Sequence, residues 1–282
     1  MNGKMLKDLL AKKKTLLFPG AHNPFAAKLI EKGKFDGVYL SGAGLSNSLG
    51  VPDDGTLTLA DFSSMARAIS KSVKIPVICD ADTGFDDVEK TVRGYIESGV
   101  AAIQLEDQQV PKRCGHLPGK EVTSCEEMVE KLKKADRVRK KLDRDFVLVA
   151  RTDARGAANI DEKSQLKESI ERGKAYLAAG ADVIFPESLR DRNEFETYRN
   201  QVRGWLLANM TEFGKTPFLR WQEFGEIGFN IVIFPVTLFR VAAGQMAAAL
   251  ETLRKEGNQK TLLDQMMGRE EINQLLGYRP DK

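Results

Sequence analysis

Short apolar runs alternate along the chain with longer segments in which apolar residues recur every three or four positions. The short runs are almost continuously apolar, which is typical of parallel strands covered on both faces. The longer segments have the spacing of amphipathic helices. We therefore predict eight strands, at Leu16–Phe18, Gly37–Leu40, Val77–Cys79, Ala102–Leu105, Phe146–Ala150, Val183–Phe185, Trp205–Ala208 and Ile231–Phe234.

The alternation of strands and helices indicates an α/β fold with a parallel sheet. Gly99 and Gly180 follow helical segments, where a left-handed cap favours glycine. Eight β/α units favour a (β/α)8 TIM-type barrel over residues 1–257. A doubly wound open sheet is the alternative, but no Gly-x-Gly-x-x-Gly turn follows the first strand. Helical spacing is clearest at Asp86–Ser98, Glu126–Leu142, Gln165–Ala178 and Phe239–Lys255.

Residues 258–282 follow the eighth unit and predict extra C-terminal helices. Apolar residues recur there at helical spacing between Gln259 and Tyr278. A complete barrel has no further groove for them, so we expect a neighbouring subunit to cover this face. A helix folded back on its own barrel is the alternative.

Composition narrows the class of protein. The chain has 282 residues, and its charged residues nearly cancel to +3, which argues against nucleic acid as the main partner. Its three cysteines fit a reducing compartment better than a disulfide framework. It lacks a run of ~20 apolar residues that could span a membrane, and Met1 to Lys14 does not resemble a signal peptide. We expect a cytoplasmic enzyme that acts on a small molecule.

Polar residues follow almost every predicted strand. In a barrel these positions meet at the carboxyl ends of the strands, where such enzymes carry their active sites. One or two of them could instead be helix N-caps. They include His22 and Asn23, Ser41, Asp80 and Asp82, Glu106 and Asp107, Arg151 and Asp153, Glu187, Asn209, Thr211, Glu212 and Thr237.

The segment from Glu106 to His116 is the richest in reactive groups. Two carboxylates at a strand end, Glu106 and Asp107, could face a hard cation. Two cations, the Cys114 thiol and the His116 imidazole follow within a few residues, a setting that favours thiolate and binds anions. A solvated loop with an incidental cysteine is the alternative. Of the other cysteines, we predict that Cys79 is inert core.

Clustered carboxylates predict a divalent metal. Asp80 and Asp82 flank one residue in extended chain, so both can point to the same face. With Glu106 and Asp53 they form an all-oxygen set, which selects Mg²⁺ or Mn²⁺. Zinc is disfavoured because the chain has two histidines and no Cys-x-x-Cys pair.

Taken together, these residues resemble the isocitrate lyase and phosphoenolpyruvate mutase superfamily, most closely its 2-methylisocitrate lyase family. The Lys-Arg-Cys-Gly-His motif resembles the lyase branch of this superfamily, because the phosphonate-forming mutases lack its cysteine. The resemblance runs through Tyr39–Gly42, Leu49–Asp53, Asp80–Phe85, Glu106–His116, Ala150–Ala154, Phe185–Glu187, Asn209–Gly214 and Phe239–Arg240.

The resemblance implies a Mg²⁺-dependent retro-Claisen cleavage of 2-methylisocitrate to pyruvate and succinate in a homotetramer that exchanges its C-terminal helices. Tyr39 would accept or relay the hydroxyl proton, and Cys114 would protonate the leaving carbanion. Asp80 would contact the metal directly, while Asp53, Asp82 and Glu106 hold its water shell. Ser41, Gly42, Ala43 and Arg151 would bind the pyruvyl end, and Gly115, His116, Glu187, Asn209, Thr211 and Arg240 the succinyl end.

Two departures from the family pattern touch the loop at the pyruvyl end. Ala43 stands where 2-methylisocitrate lyases usually have glycine, and the stretch from Tyr39 to Asp53 is one residue shorter than in similar members of that family. A 2,3-dimethylmalate lyase, another 2-hydroxy acid lyase and an oxaloacetate decarboxylase therefore stay open as alternatives. A phosphonate mutase or hydrolase and a non-catalytic binding barrel are weaker ones. Glu187 and Arg240 could also form a structural ion pair.

Overall fold

A computed structural model describes residues 2–12, 15–110 and 119–279, and within them eight parallel strands form one sheet. The spatial order is β1-β8-β7-β6-β5-β4-β3-β2. A parallel bridge between Gly20 and Tyr39 brings β1 and β2 together, so the sheet is a nearly closed barrel. The strands are β1 (Leu16–Pro19), β2 (Val38–Leu40), β3 (Val77–Asp80), β4 (Ala102–Glu106), β5 (Val147–Thr152), β6 (Val183–Pro186), β7 (Trp205–Asn209) and β8 (Ile231–Phe234).

Helices surround the strands and confirm the predicted (β/α)8 TIM-type fold. Gly99 and Gly180 follow α5 and α7 with φ of 78° and 108°, as the cap prediction requires. The helices are α1 (Asn2–Lys12), α2 (Pro24–Lys32), α3 (Gly42–Ser48), α4 (Leu59–Ser72), α5 (Val88–Ser98), α6 (Cys125–Leu142), α7 (Gln165–Ala178), α8 (Arg192–Gln201), α9 (Trp221–Ile227), α10 (Thr237–Glu256) and α11 (Arg269–Leu276), with a 3-10 helix at Lys260–Gln265.

Two apolar cores hold the barrel. The outer core lies between strands and helices and includes Leu132, Leu148 and Tyr176. The inner core fills the barrel lumen, and Leu6 and Leu10 of α1 join it. The first helix thus closes the amino-terminal end of the barrel, which leaves the opposite end for a site.

The C-terminal helices pack less completely than the barrel helices. No side chain of α10 is buried, and Leu250 is 66% exposed. The apolar exposure therefore begins before residue 257, the boundary that the sequence suggested. Farther on, α11 lies near α2 of the same chain, with Lys32 Nζ 2.9 Å from Glu271 Oε1. Subunit exchange stays a prediction.

The length and polarity of the helices bear on membrane insertion. Across the described parts of the chain, no helix combines the length and the apolar character needed to cross a membrane.

Candidate active site

At the carboxyl ends of β2 and β3, the carboxylates of Asp80 and Asp82 lie close to Gly42. The backbone N–H of Gly42 donates to Asp80 Oδ2 at 3.1 Å, and that of Asp82 donates to Asp80 Oδ1 at 3.1 Å. A Cβ added to Gly42 would lie 3.1 Å from Asp80 Oδ2 and 3.3 Å from Asp82 Oδ1. Both side chains are nearly buried. Two carboxylate oxygens thus lie close to one position, where the absence of a side chain at Gly42 leaves them room.

This pair fits a hard divalent cation. Within the described residues, no three His, Cys, Asp or Glu side chains are grouped so that they could hold one ion together. Mg²⁺ nevertheless keeps several waters and commonly uses only one or two protein carboxylates. Glu106 is buried at the end of β4, and Asp53 is partly exposed in the loop that follows α3. A two-carboxylate, all-oxygen donor set is therefore compatible with Mg²⁺.

Tyr39 is the buried phenol of β2. Its hydroxyl donates to Gln104 Oε1 at 2.7 Å. Burial raises the pKa of Tyr39 well above its usual range, and the negative charge of Asp80 adds to this rise. The group is therefore a neutral phenol at the end of the barrel lumen.

Arg151 lies at the centre of a buried ion network. Its Nε and Nη2 donate to the two oxygens of Asp153 at 2.8 Å and 3.0 Å, and its Nη1 lies 3.4 Å from Glu106 Oε2. Asp153 Oδ1 also accepts from Lys120 Nζ at 2.9 Å. Burial alone would raise the pKa of Asp153, but the charges of Arg151 and Lys120 hold that pKa far below its usual range. Asp153 thus holds the Nε–Nη2 edge of the guanidinium, while Nη1 faces Glu106.

Glu187 and Asn209 lie together at the carboxyl ends of the neighbouring strands β6 and β7. The Asn209 amide nitrogen is 3.3 and 3.4 Å from the two oxygens of the buried Glu187 carboxylate. Glu187 also lies 4.0 Å from Arg151 Nε. The carboxylate therefore orients an amide and a guanidinium in the same region of the site.

Arg240 begins α10 at the rim of the barrel. Its Nη1 lies 2.7 Å from Glu212 Oε2 and 3.4 Å from Thr211 Oγ1. Its guanidinium also lies 5.4 Å from the centre of the exposed Phe213 ring. The alternative that Arg240 pairs with Glu187 is wrong, because Glu212 is the partner.

Asp107 does not share the site with Glu106. Successive residues of an extended chain point to opposite faces. Asp107 Oδ2 accepts from Tyr176 at 2.7 Å and from Arg172 at 3.1 Å, both on α7, and its Oδ1 accepts from the Asp153 N–H at 2.8 Å. We correct the expectation that Asp107 faces a hard metal cation, since both of its oxygens already accept hydrogen bonds from protein groups.

Other predicted residues fall into three groups. Ser41 caps α3 and accepts from the Gly44 N–H at 3.4 Å, and Ala43 follows in the same helix. Cys79 is buried core as predicted, and burial raises the pKa of its thiol well above the usual value. The predicted thiol and its neighbours lie outside the described residues. This last group is Lys112, Arg113, Cys114, Gly115 and His116.

Backbone strain gathers at the same end of the barrel. Asp82, Ser188 and Phe213 have φ of 46°, 62° and 59°, values that favour glycine. Each lies within a few residues of the end of β3, β6 or β7. A cleft of about 480 Å³ opens beside Asp82, between Leu57 and Val110. Of the three strained residues, Asp82 is the one that lines this cleft, and strained backbone of this kind is typical of functional sites.

Three residues of this region received no role from the sequence. Gln104 was visible as a polar residue in an apolar strand, on the same face as Glu106. Asp153 stood beside Arg151 in the predicted strand end. Lys120 gave no signal, because a lysine in a loop is usually solvated, yet its side chain is 0% exposed.

Comparisons with known proteins identify the family of this chain. The profile of the phosphoenolpyruvate phosphomutase family matches residues 6–254. The 2-methylisocitrate lyase of Aeropyrum pernix is 44% identical over 98% of this chain and 87% of its own. The 2,3-dimethylmalate lyase of Eubacterium barkeri is 43% identical over 96% and 93%.

Solved structures give the same result. A 2,3-dimethylmalate lyase structure superposes with a TM-score of 0.90 at 34% identity, covering 98% of this chain and 92% of that one. A phosphonopyruvate hydrolase complex with oxalate and Mg²⁺ has a TM-score of 0.86 at 30% identity, with coverage of 98% and 95%. The chain belongs to the phosphoenolpyruvate mutase/isocitrate lyase superfamily. Within it, the relatives place this protein among the carbon–carbon lyases.

Proposed function

We propose that this protein is a Mg²⁺-dependent lyase that cleaves 2-methylisocitrate to pyruvate and succinate. The observation that carries the proposal is the Asp80–Asp82 pair beside Gly42, at the same barrel end as the Tyr39 phenol and the Arg151 guanidinium. The likeness to 2-methylisocitrate lyases supports the substrate.

The carboxylates are proposed to hold the metal. Asp80 would bind it directly, while Asp82, Asp53 and Glu106 would accept hydrogen bonds from its water molecules. When bound, Mg²⁺ lowers the pKa of the substrate hydroxyl and neutralises developing charge. Asp80 already accepts two backbone N–H groups, which fixes the direction of its oxygens.

Tyr39 is proposed to assist removal of the proton from the substrate hydroxyl. As a neutral phenol bonded to Gln104, it would accept a hydrogen bond from the substrate hydroxyl and relay the hydroxyl proton to solvent, while the thiolate that Cys114 becomes on protonating the carbanion would take a proton back from solvent. The carbon–carbon bond next to the hydroxyl-bearing carbon then breaks. The hydroxyl oxygen becomes the ketone oxygen of pyruvate, and the electron pair stays on the succinate carbon.

The pyruvyl end is assigned to Arg151 together with Ser41, Gly42 and Ala43. Only two of the five N–H groups of a guanidinium are bonded to Asp153, so others can meet a carboxylate. The Gly42 N–H donates to Asp80 in this structure, so a substrate would share or displace that bond.

The succinyl end is assigned to the region around β6, β7 and the start of α10. Asn209, Thr211 and Arg240 supply donors there. Glu187 would act through Asn209 and Arg151, since a buried carboxylate repels a substrate carboxylate. We assign protonation of the succinate carbanion to the Cys114 thiol, with Gly115 and His116 beside it.

A 2,3-dimethylmalate lyase is the second candidate. The relative with that activity is nearly as similar as the 2-methylisocitrate lyase, at 43% against 44% identity. Ala43, in place of the usual glycine, touches the pyruvyl loop, and 2,3-dimethylmalate would also yield pyruvate at that end. The two candidates therefore differ only in the leaving acid.

A pyruvate-release assay with Mg²⁺ tests the proposal. The panel is 2-methylisocitrate, isocitrate, 2,3-dimethylmalate and oxaloacetate. We expect the highest kcat/KM with 2-methylisocitrate and succinate in equal amount to pyruvate. A higher value with 2,3-dimethylmalate supports the second candidate, and absence of pyruvate with every compound contradicts both.

The setting of the enzyme is part of the same proposal. We propose that it works in the cytoplasm as a homotetramer, which would cover the apolar side chains that α10 exposes. Size measurement in solution tests the assembly.

A further inference from the structure

Lys120 has the most unusual environment of any lysine in the described residues. Its side chain is fully buried, and so is that of Asp153, which accepts from its ammonium at 2.9 Å. A buried ammonium is rare unless it is paired. Lys120 is linked to Arg151 of the candidate active site through the side chain of Asp153. We therefore looked for a role of this ammonium beyond fold stability.

The charges around Arg151 indicate an electrostatic role for Lys120. Three carboxylates approach this guanidinium: Asp153, Glu106 at 3.4 Å and Glu187 at 4.0 Å. Lys120 pairs with the one that holds Arg151 most closely. It therefore offsets the negative charge that would otherwise make the region repel an anionic substrate.

The same contacts fix geometry as well as charge. Asp153 Oδ1 accepts from both Lys120 Nζ and Arg151 Nη2, at 2.9 Å and 3.0 Å. The Asp153 N–H donates to Asp107 Oδ1 at 2.8 Å. The carboxylate is thus held by its own backbone and by an ammonium, and it holds the guanidinium in turn.

The backbone of Lys120 is also fixed. The Ala158 N–H donates to the Lys120 carbonyl at 2.7 Å, and the neighbouring Gln109 N–H donates to the Glu121 carbonyl at 2.9 Å. These bonds join Lys120 to the loop after β5 and to the segment after β4. Backbone hydrogen bonds therefore hold in place the chain segment that carries the Lys120 side chain.

We propose that Lys120 is a positioning residue, which acts through Asp153 to orient Arg151 and to keep its guanidinium available to a substrate carboxylate. The inference rests on the proposed function in one respect, the assignment of Arg151 as an anion-binding residue. Lys120 itself does not touch the substrate.

Oxalate with Mg²⁺ is the probe, because it resembles the pyruvyl end and because a related hydrolase was solved with both bound. Isothermal titration should give a Kd for Lys120→Met that is raised roughly 10- to 100-fold, the range of a lost charge-assisted hydrogen bond. In the lyase assay KM should rise by a similar factor, while kcat changes much less. Lys120→Arg keeps the cation and should recover most of the affinity.

Two further variants separate positioning from folding. Lys120→Met/Asp153→Asn removes one cation and one anion, so it avoids an unpaired buried charge; its oxalate Kd should stay raised. Arg139→Met disrupts a comparable buried network at the opposite end of the barrel, where Arg139 contacts Asp136 and the Phe146 carbonyl. It should lower Tm but leave oxalate affinity within about twofold.

Wild-type oxalate affinity in the Lys120→Met or the charge-balanced variant would overturn the inference. If Lys120→Met does not fold, the charge-balanced variant decides. Failure of the proposed function looks different: wild-type protein would bind oxalate yet release no pyruvate from any substrate, and the comparison of oxalate affinities would still stand.

Discussion

At the scale of single residues, proton transfer is the role that we propose for the Tyr39 phenol. It is buried, neutral and bonded to Gln104, while Asp80 and Arg151 contribute to its electrostatic surroundings. These neighbours come from β3, β4 and β5, while Tyr39 itself lies on β2. A proton relay at this position requires the hydroxyl and not merely the ring.

Tyr39→Phe therefore should lower kcat by the ~10²–10⁴ typical of losing an acid–base catalyst. KM should change little, since the ring still fills the barrel lumen. Tyr198→Phe is the matched control, because that buried hydroxyl donates at 3.0 Å to the Ser169 carbonyl, outside the site. Steady-state kinetics of both variants make the comparison, and an unchanged kcat in Tyr39→Phe would remove Tyr39 from the mechanism.

Cys114→Ser should lower turnover by a similar ~10²–10⁴, since a hydroxyl is a far weaker acid than a thiol. Substrate affinity should change little. Cys125→Ser is the control, at the first turn of α6. The measurement is kcat before and after alkylation of each variant; a wild-type rate that survives alkylation of Cys114 would exclude the thiol as proton donor.

Sequence reasoning found most residues that lie at the site but not the bonds between them. Asp80, Arg151 and Glu187 were visible because they follow apolar strands. Gln104 was visible as a polar residue in an apolar strand but its bond to Tyr39 was not, and Lys120 gave no signal, because pairing between distant chain segments decides what both residues do. A lysine 33 residues from its partner aspartate carries no local pattern.

At the scale of elements, the predicted strands were correct in number and nearly so in extent. Most differences are at their carboxyl ends; for example, β3, β4 and β5 continue into Asp80, Glu106 and Thr152. Polar residues were expected to end a strand, as they commonly do. In a barrel they can remain in the strand, because the lumen at that end is itself the polar site.

The turn from β2 into α3 gives a prediction at this scale. Gly42→Ala would place a Cβ 3.1 Å from Asp80 Oδ2 and 3.3 Å from Asp82 Oδ1. Overpacking of this kind costs about 1–3 kcal/mol, so the Mg²⁺ concentration for half-maximal activity should rise roughly 10- to 100-fold.

Gly44→Ala provides the control in the same helix, since its Cβ would make ordinary contacts at 3.5 and 3.6 Å. Its Mg²⁺ dependence should match the wild type. Mg²⁺ titration of the lyase rate compares the two variants. Equal responses would show that Gly42 does not make room at the metal site.

At the scale of the whole molecule, the C-terminal helices expose several apolar side chains in succession. Val241, Met246 and Leu250 are each more than half exposed on α10, and Leu263 continues this pattern in the 3-10 helix. A sequence pattern can show that such a face is apolar. It cannot show what covers it, because the cover need not belong to the same chain.

Truncation after Gly257 tests how these helices contribute to assembly. We expect light scattering to give species smaller than the full-length oligomer, with increased binding of an apolar dye. Leu250→Glu should have a similar effect on size, because it introduces a charge into the α10 face. Lys255→Gln, in the last turn of the same helix, makes the same one-unit change in net charge and is the control. Unchanged size in both the truncated chain and Leu250→Glu would contradict exchange of the C-terminal helices.

The central claim is that carboxylates at the end of β3 hold a metal for carbon–carbon cleavage. Its most direct test is pyruvate release from 2-methylisocitrate by chelator-treated, dialysed protein, before and after addition of Mg²⁺. We predict that activity disappears with chelator, returns with Mg²⁺ or Mn²⁺, and does not return in Asp80→Ala. Full activity in the continued presence of chelator, or rescue of Asp80→Ala by Mg²⁺, would contradict it.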